Sequence, residues 1–345
     1  MKKRILQIGP APQNIGGISI HIKRLTSLLG GEYSFDFVDE GKVRHPGVFN
    51  IRSLNIFLYL KKVFQADIVH IHSGHYILRL FNVFMCAMIL RKRTIVTIHR
   101  DPSIEPFFKF TRWAVGYCNV VVCVNQVVYN MLYKQSPGCR YYVMPAFLPP
   151  DIESEPDLPE DLLSWIDNVR QSDSNILLVS NAWNLVLHEN VDLYGLDMCI
   201  EMIRKLKTND NSKNFYLLFV VASNTDQTLL MEQYKNNIIE YGISENVLIW
   251  ESPVSFIRLI LRADVVLRPT NTDGDAISIR EALYFGKSVV ASDVVPRPDG
   301  TILFRNRDYV DFADKIVSVV KNGYLKVVKS ECKDYRKFYR EIYKV

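Results

Sequence analysis

The chain has 345 residues, 48% hydrophobic and 23% charged, an ordinary globular composition on a length that favours two domains over one core. No run of about 18 uncharged apolar residues is present, and the apolar stretch between Arg4 and Pro10 is shorter than a signal-peptide core, so neither a spanning helix nor a secreted protein is expected. Charge is divided unevenly: residues 1–150 carry 19 Lys and Arg against 7 Asp and Glu, a balance of +12, and the remainder carries 23 against 30, a balance of −7.

Residues 4–8 are a buried-strand candidate, and Gly16-Gly17 opens a helical pattern over 18–29. Strand candidates rich in Val and Ile follow at 34–38, 68–71, 94–98, 120–124 and 141–144, with helical patterns at 52–64, 76–90, 106–117 and 126–133. Short buried strands alternating with helices predict a mostly parallel sheet covered on both faces. The segment AFLPPDIESEPDLPEDLLSW, from Ala146, is rich in Pro and acids and reads as a linker with one short helix over 162–169. The alternation then restarts. Strands are predicted at 176–179, 215–221, 247–250, 265–267 and 288–291, and helices at 196–206, 227–241, 254–261, after Asp275, and at 310–321. A densely charged helix, 328–343, comes last. The fold class expected is α/β: two doubly wound Rossmann-like domains facing a cleft, over 1–160 and 161–325, with the helix of 326–345 packing back on the first. Ligands of such sheets bind beyond the carboxyl ends of the strands. The cysteines at 86, 118, 123, 139, 199 and 332 show no paired spacing and read as the reduced thiols of a cytosolic protein.

Three loops lie at predicted strand ends. In GPAPQNIGGISIH, Gly9 to His21, the pair Gly16-Gly17 lets backbone approach a ligand, and the following helix start offers free N–H groups suited to a phosphate. The spacing is neither a dinucleotide fingerprint nor a P-loop, and plain turn chemistry explains the glycines equally. In TIHRDP, His99 ends an apolar strand; a structural role and a place lining the cleft both remain open. His70, His72 and His75 cluster in DIVHIHSGH without a nearby Cys or carboxylate, so no metal site is expected.

The third loop, RPTNTDGD, follows the strand 265–267. Asp275 is a good N-cap for a helix beginning near Ala276, and Glu281 falls about one and a half turns into it, with Asp273 in the loop before. Two carboxylates suit the paired hydroxyls of a sugar and a ribose, and the backbone N–H groups between them suit a phosphate. The pattern therefore fits a nucleotide-sugar, although a capped helix with solvated acids has the same spacing.

DGDAISIREALYFGKSVVASD, residues 273–293, resembles the donor-binding signature of glycosyltransferase family 4, whose members have the GT-B fold. GGISIH, DIVHIHS, TIH and VVVCVN follow in that family's order, and YGLDMCIEMI resembles its helix after a Lys-Gly pair. The resemblance implies that Glu281 holds the ribose and Asp273 the donor-sugar hydroxyls. Gly274, Asp275, Ala276 and Ile277 would meet the sugar or diphosphate, Gly16 and Gly17 would approach the diphosphate, and His99 would line the reaction centre. It also implies retention of anomeric configuration without a metal or other cofactor. The pattern departs from the family at the phosphate-binding Arg and Lys, whose places hold Asn181 and Tyr194; Arg268, Arg280 and Arg297 are candidate substitutes.

The expected partners are a nucleotide-sugar and a saccharide acceptor, polyprenyl-diphosphate-linked as in relatives that build surface polysaccharide. Apolar helices flanked by cations, such as LFNVFMCAMILRKR, also suit an anionic membrane surface, which places the protein in the cytoplasm or peripherally on the inner membrane face. Core helices with solvated ends read the same way. No basic-aromatic module for nucleic acid is present. A sugar-nucleotide epimerase of this fold and a catalytically weak binding subunit stand as alternatives.

Overall fold

A computed structural model describes residues 2–14, 16–100, 102–133, 138–208, 213–223, 228–273, 276–322 and 334–344. The chain divides into two units, Met1–Pro149 with Lys333–Val345, and Pro150–Cys332. The division falls about ten residues before the expected boundary at 160, so the helix Glu160–Val169 and the proline-rich segment from Pro150 belong with the second unit.

The first unit is built on β1 (Arg4–Gly9), β2 (Ser34–Asp39), β3 (Phe49–Asn50), β4 (Ile68–Ile71), β5 (Thr94–Ile98), β6 (Val120–Cys123) and β7 (Arg140–Val143). They form one parallel sheet in the order β3-β2-β1-β4-β5-β6-β7. The alternation of side chains explains why these strands are apolar throughout. Leu6, Val69, Val96 and Val121 enter one core, and Ile5, Ile68, Ile95 and Val120 enter another on the opposite face. The second core also takes Leu25 and Leu29 of the helix Gly17–Leu29 and Tyr339, Ile342 and Tyr343 of the helix Tyr335–Lys344. The C-terminal helix is thus a layer of the first unit. Its Tyr343 hydroxyl lies 2.8 Å from His70 Nδ1 and accepts from Gln7 Nε2 at 3.3 Å, satisfying two buried polar residues of the sheet.

The second unit carries β8 (Asn175–Ala182), β9 (Leu187–His188), β10 (Val191–Asp192), β11 (Asn214–Val221), β12 (Val247–Trp250), β13 (Val265–Arg268), β14 (Ser288–Ser292) and β15 (Thr301–Phe304). Six of them make a parallel sheet, β12-β11-β8-β13-β14-β15, and β9 and β10 form a small antiparallel ladder. Both faces are again covered: Ile176 and Leu178 of β8 enter one core, Leu177 and Val179 the other. The edge strand β15 and the two-residue strands were absent from the expectation, because such short pieces carry no periodicity. In each sheet the strand order reverses once, between β1 and β4 and between β8 and β13. The crevices at those reversals are where doubly wound sheets bind ligands.

Candidate functional site

In the second unit the reversal lies between the carboxyl ends of β8 and β13, and each presents a polar loop. Beyond β13, Asp273 accepts from Arg268 through Nε at 2.9 Å and Nη2 at 3.2 Å, from Arg297 Nη1 at 2.8 Å, and from Thr270 Oγ1 at 3.2 Å. Side-chain exposures are 12% for Arg268, 10% for Asp273 and 2% for Arg297, so this ion triad is largely out of water. Burial alone would raise the Asp273 carboxyl, but hydrogen bonds and charge from Arg268 and then Arg297 prevail and hold it below its ordinary value. Two guanidiniums on one carboxylate leave the cluster positive, which favours an anionic ligand beside it.

The two arginines differ in their freedom. Arg297 donates through Nε to the Ser292 carbonyl at 3.1 Å and through Nη2 to Thr270 Oγ1 at 3.0 Å and Ser292 Oγ at 3.2 Å, besides its bond to Asp273. Its donors face inward, so it buttresses Asp273. Arg268 reaches the Asn181 carbonyl at 3.5 Å, and its guanidinium lies 5.4 Å from the Tyr194 ring centroid. Tyr194, standing where the resembling family has Lys, brings its ring to Arg268 at the end of β13.

Local folding sets these positions. Asp192 accepts from the backbone N–H groups of Tyr194, Gly195 and Leu196 at 2.9–3.1 Å and starts the helix Leu196–Thr208. A Cβ at Gly195 would come within 2.2 Å of the Pro269 carbonyl oxygen, so only glycine lets this turn lie against the loop after β13. The helix after that loop is Ile277–Tyr284, and the residue at its N-cap is Ala276, which has no capping side chain. Asp275, the expected cap, and Gly274, both expected donor contacts, lie outside the described residues. Glu281 is 5% exposed within this helix, and Arg280 beside it is half-buried. The helix closes on Gly286 at φ +72°, with Gly286 N–H donating to the Leu283 carbonyl at 3.0 Å and Lys287 N–H to the Ala282 carbonyl at 2.8 Å. That closure turns the chain straight into β14, which explains the glycine five residues after Glu281. On these loops the buried amide oxygens Oδ1 of Asn181, Asn184 and Asn271 have no hydrogen-bond donor among the described residues.

In the first unit the reversal lies beyond β1. Gly16 holds the N-cap of the helix Gly17–Leu29 without a capping side chain, leaving the first N–H groups of the helix to another acceptor. The loop before it is shaped by Asp39, which was not foreseen. Its carboxylate accepts from Ala11 N–H, Asn14 Nδ2, Gly41 N–H and Asn50 Nδ2, each at 2.9 Å. Next to it, Glu40 accepts from Ser73 Oγ at 2.6 Å and Asn82 Nδ2 at 2.8 Å. Burial pushes its carboxyl up to about 7. His99 follows β5, with Nε2 at 3.1 Å from His72 Nδ1, and burial holds it well below the usual histidine value. An acid following an apolar strand is the signal that marks Asp39 and Glu40 in the sequence.

Two doubly wound units, each with a polar crevice at its strand reversal, define the architecture of the GT-B glycosyltransferases. Residues 185–322 match the model of the family described as Glycosyl transferases group 1. Among solved structures, a glycosyltransferase from Rickettsia africae is similar with TM-score 0.66 at 15% identity, over 99% of each chain. The trehalose-6-phosphate synthase OtsA is similar with TM-score 0.66 at 12% identity, over 100% of this chain and 99% of that one. Anabaena HepE, solved in complex with UDP and glucose, is similar with TM-score 0.59 at 13% identity, over 95% and 93%. No match was found among the curated proteins.

Proposed function

We propose that this chain is a retaining glycosyltransferase that moves a sugar from a nucleotide-sugar to a lipid-linked saccharide, in the making of surface polysaccharide. The observation that carries the donor half is the crevice beyond β13, where the Arg268–Asp273–Arg297 triad, Glu281 and three amide oxygens without donors border one set of loops. Glu281 takes the ribose hydroxyls, Asp273 the hydroxyls of the transferred sugar, and Arg268 the diphosphate. Within the first unit, the uncapped start of the helix Gly17–Leu29 offers N–H groups suited to a phosphate, and His99 lies at the crevice beyond its strand reversal. The diphosphate's charge is met by these cations and dipoles without a divalent metal. Uridine nucleotides come first among donors, because the similar Anabaena protein was solved with UDP.

The acceptor half rests on the basic first unit. Before and along the helix Ile56–Gln65, Leu54 is 87%, Phe57 83% and Phe64 60% exposed, beside the exposed Lys61. Apolar side chains among cations suit an anionic lipid surface, and the protein is read as cytoplasmic and peripheral on the inner membrane face. No helix among the described residues is long and apolar enough to cross a membrane. The cluster Arg91-Lys92-Arg93, expected to meet lipid, is mostly engaged elsewhere. Lys92 donates to the Phe64 and Ala66 carbonyls at 2.9 Å, and Arg93 to the Ile342 carbonyl at 3.0 Å and the Lys344 carbonyl at 3.3 Å.

A thermal-shift screen of nucleoside diphosphates and nucleotide-sugars tests the donor reading. At 100 times its dissociation constant a ligand specific for the folded state contributes about 2.7 kcal/mol. A screen in which no such compound raises the melting temperature would sink it. One observation favours a second reading, a subunit that binds donor without transferring it: Asn181 and Tyr194 stand at the two expected cation positions, and Arg297 faces inward. Donor that binds but is neither hydrolysed nor transferred would select that reading.

A further inference from the structure

Three imidazoles meet at the carboxyl ends of β1, β4 and β5. His21 lies early in the helix that follows β1, His72 directly follows β4, and His99 directly follows β5. One ring nitrogen from each lies within 4.8 Å of the others. The ring centroids are 5.3 Å apart for His21 and His72, 5.0 Å for His21 and His99, and 5.4 Å for His72 and His99. An ion bound tetrahedrally at about 2.0–2.1 Å from each nitrogen holds bonded nitrogens about 3.3 Å apart and ring centroids about 5.2 Å apart. The observed triangle has nearly that size, and His72 Nδ1 and His99 Nε2 are already 3.1 Å apart.

The hydrogen bonds point the same way. His21 Nδ1 is 2.6 Å from the Ala146 carbonyl oxygen, which accepts only, so Nδ1 carries the proton and the lone pair is on Nε2, where it accepts from the Tyr339 hydroxyl at 3.3 Å, a long bond that an ion would displace. A histidine fixed in this manner through its far nitrogen is the usual outer partner arrangement of a metal ligand. His72 is fully buried, and its Nε2 has no hydrogen-bond partner. His70, packed on the His72 ring, differs: both of its nitrogens lie 2.8 Å from hydroxyls, of Tyr343 and Thr97, so its lone pair is engaged in a short hydrogen bond.

We propose that His21, His72 and His99 form a binding site for one divalent cation of the zinc class, with the fourth position open to water. Three imidazoles without a carboxylate select zinc, cobalt, nickel or copper, and discriminate against magnesium and calcium, which take oxygen ligands. The ion would join the helix Gly17–Leu29 to the ends of β4 and β5, three elements far apart in sequence. The proposal holds whatever reaction the protein performs.

The test is a titration of the chelator-stripped, tag-free full chain with cobalt(II), followed by visible absorption. One equivalent should produce the bands of a four-coordinate site, one equivalent of zinc should abolish them, and zinc should raise the melting temperature. His21→Gln and His72→Gln should each lose the bands while keeping the native circular dichroism, and His75→Gln and His188→Gln should keep the bands. A native chain that develops no such bands overturns the site without recourse to any variant. So do bands that survive in the His21→Gln/His72→Gln double variant, or that vanish with His75→Gln or His188→Gln.

Discussion

Replacing Asp273 by Asn removes one negative charge from between two guanidiniums and changes little in size. The carboxylate takes four contacts of 2.8–3.2 Å, and its arginine partners have side chains 12% and 2% exposed. Removing one partner of a buried ion pair costs about 3–5 kcal/mol, because the remaining charge stays desolvated. An amide oxygen retains part of the bonding, so the expected loss is about 3 kcal/mol. For a unit of this size each kcal/mol lowers the melting temperature by roughly 2–4 °C, which gives about 6–12 °C. Trp165, Trp183 and Trp250 lie in the second unit and Trp113 in the first, so tryptophan fluorescence in a Trp113→Phe background reports the second unit alone. The sign with pH is fixed. The folded carboxyl titrates below its ordinary 3.8, so its contribution is complete above that value and is lost as the pH falls below it. The gap between parent and variant should therefore be constant from about pH 5 to 8 and close in acid. A shift smaller than about 2 °C, or a gap that widens from pH 5 to 8, would refute the claim that Asp273 neutralises these arginines.

The other expectations are as direct. Glu281→Gln keeps the shape of a ribose contact but loses charge-assisted bonds of about 1.5–3 kcal/mol, so calorimetry should show donor affinity reduced about tenfold or more; unchanged binding removes Glu281 from the donor site. Transfer should survive EDTA, and a loss that magnesium or manganese restores would contradict the metal-free reading. Glu40, raised to about 7 by burial, favours the folded state fully below its unfolded value near 4.5 and loses that advantage as the pH rises through 7, by about 3 kcal/mol in all. Glu40→Gln should therefore gain stability over the parent at pH 8 and not at pH 4.5, as urea titrations at the two pH values can read. Phe57→Ser with Lys61→Gln should weaken flotation with anionic vesicles at low salt; a parent chain that does not float removes the membrane from the proposal.

The two-unit α/β architecture was legible because buried parallel strands must be apolar on both faces and their helices on one. Those periods are local, and they recur along nearly the whole chain. The stretch 273–293 was legible for a related reason: the end of β13, the helix Ile277–Tyr284, its closure on Gly286 and β14 are contiguous, so one short segment specifies one corner of the site. What its charges do was not legible. Asp273 meets Arg297, 24 positions further along the chain, in a contact that no local pattern shows. Lys92 and Arg93 read as a surface cluster, yet their donors close carbonyls left at the ends of other segments.

The histidines show the division most clearly. His70 and His72 stand two apart on one strand end, and the sequence offers no reason to separate them, nor to join His72 with residues 21 and 99. The C-terminal helix supplies the Tyr343 hydroxyl that occupies His70, and parallel pairing of β1, β4 and β5 brings the other three imidazoles to one point. Sequence alone determined most of the strands, most of the helices and the glycine turns, since backbone geometry and side-chain periodicity act between near neighbours. The tertiary structure decided which polar groups face one another, because burial and hydrogen-bond partnership depend on segments that only the folded sheet brings together.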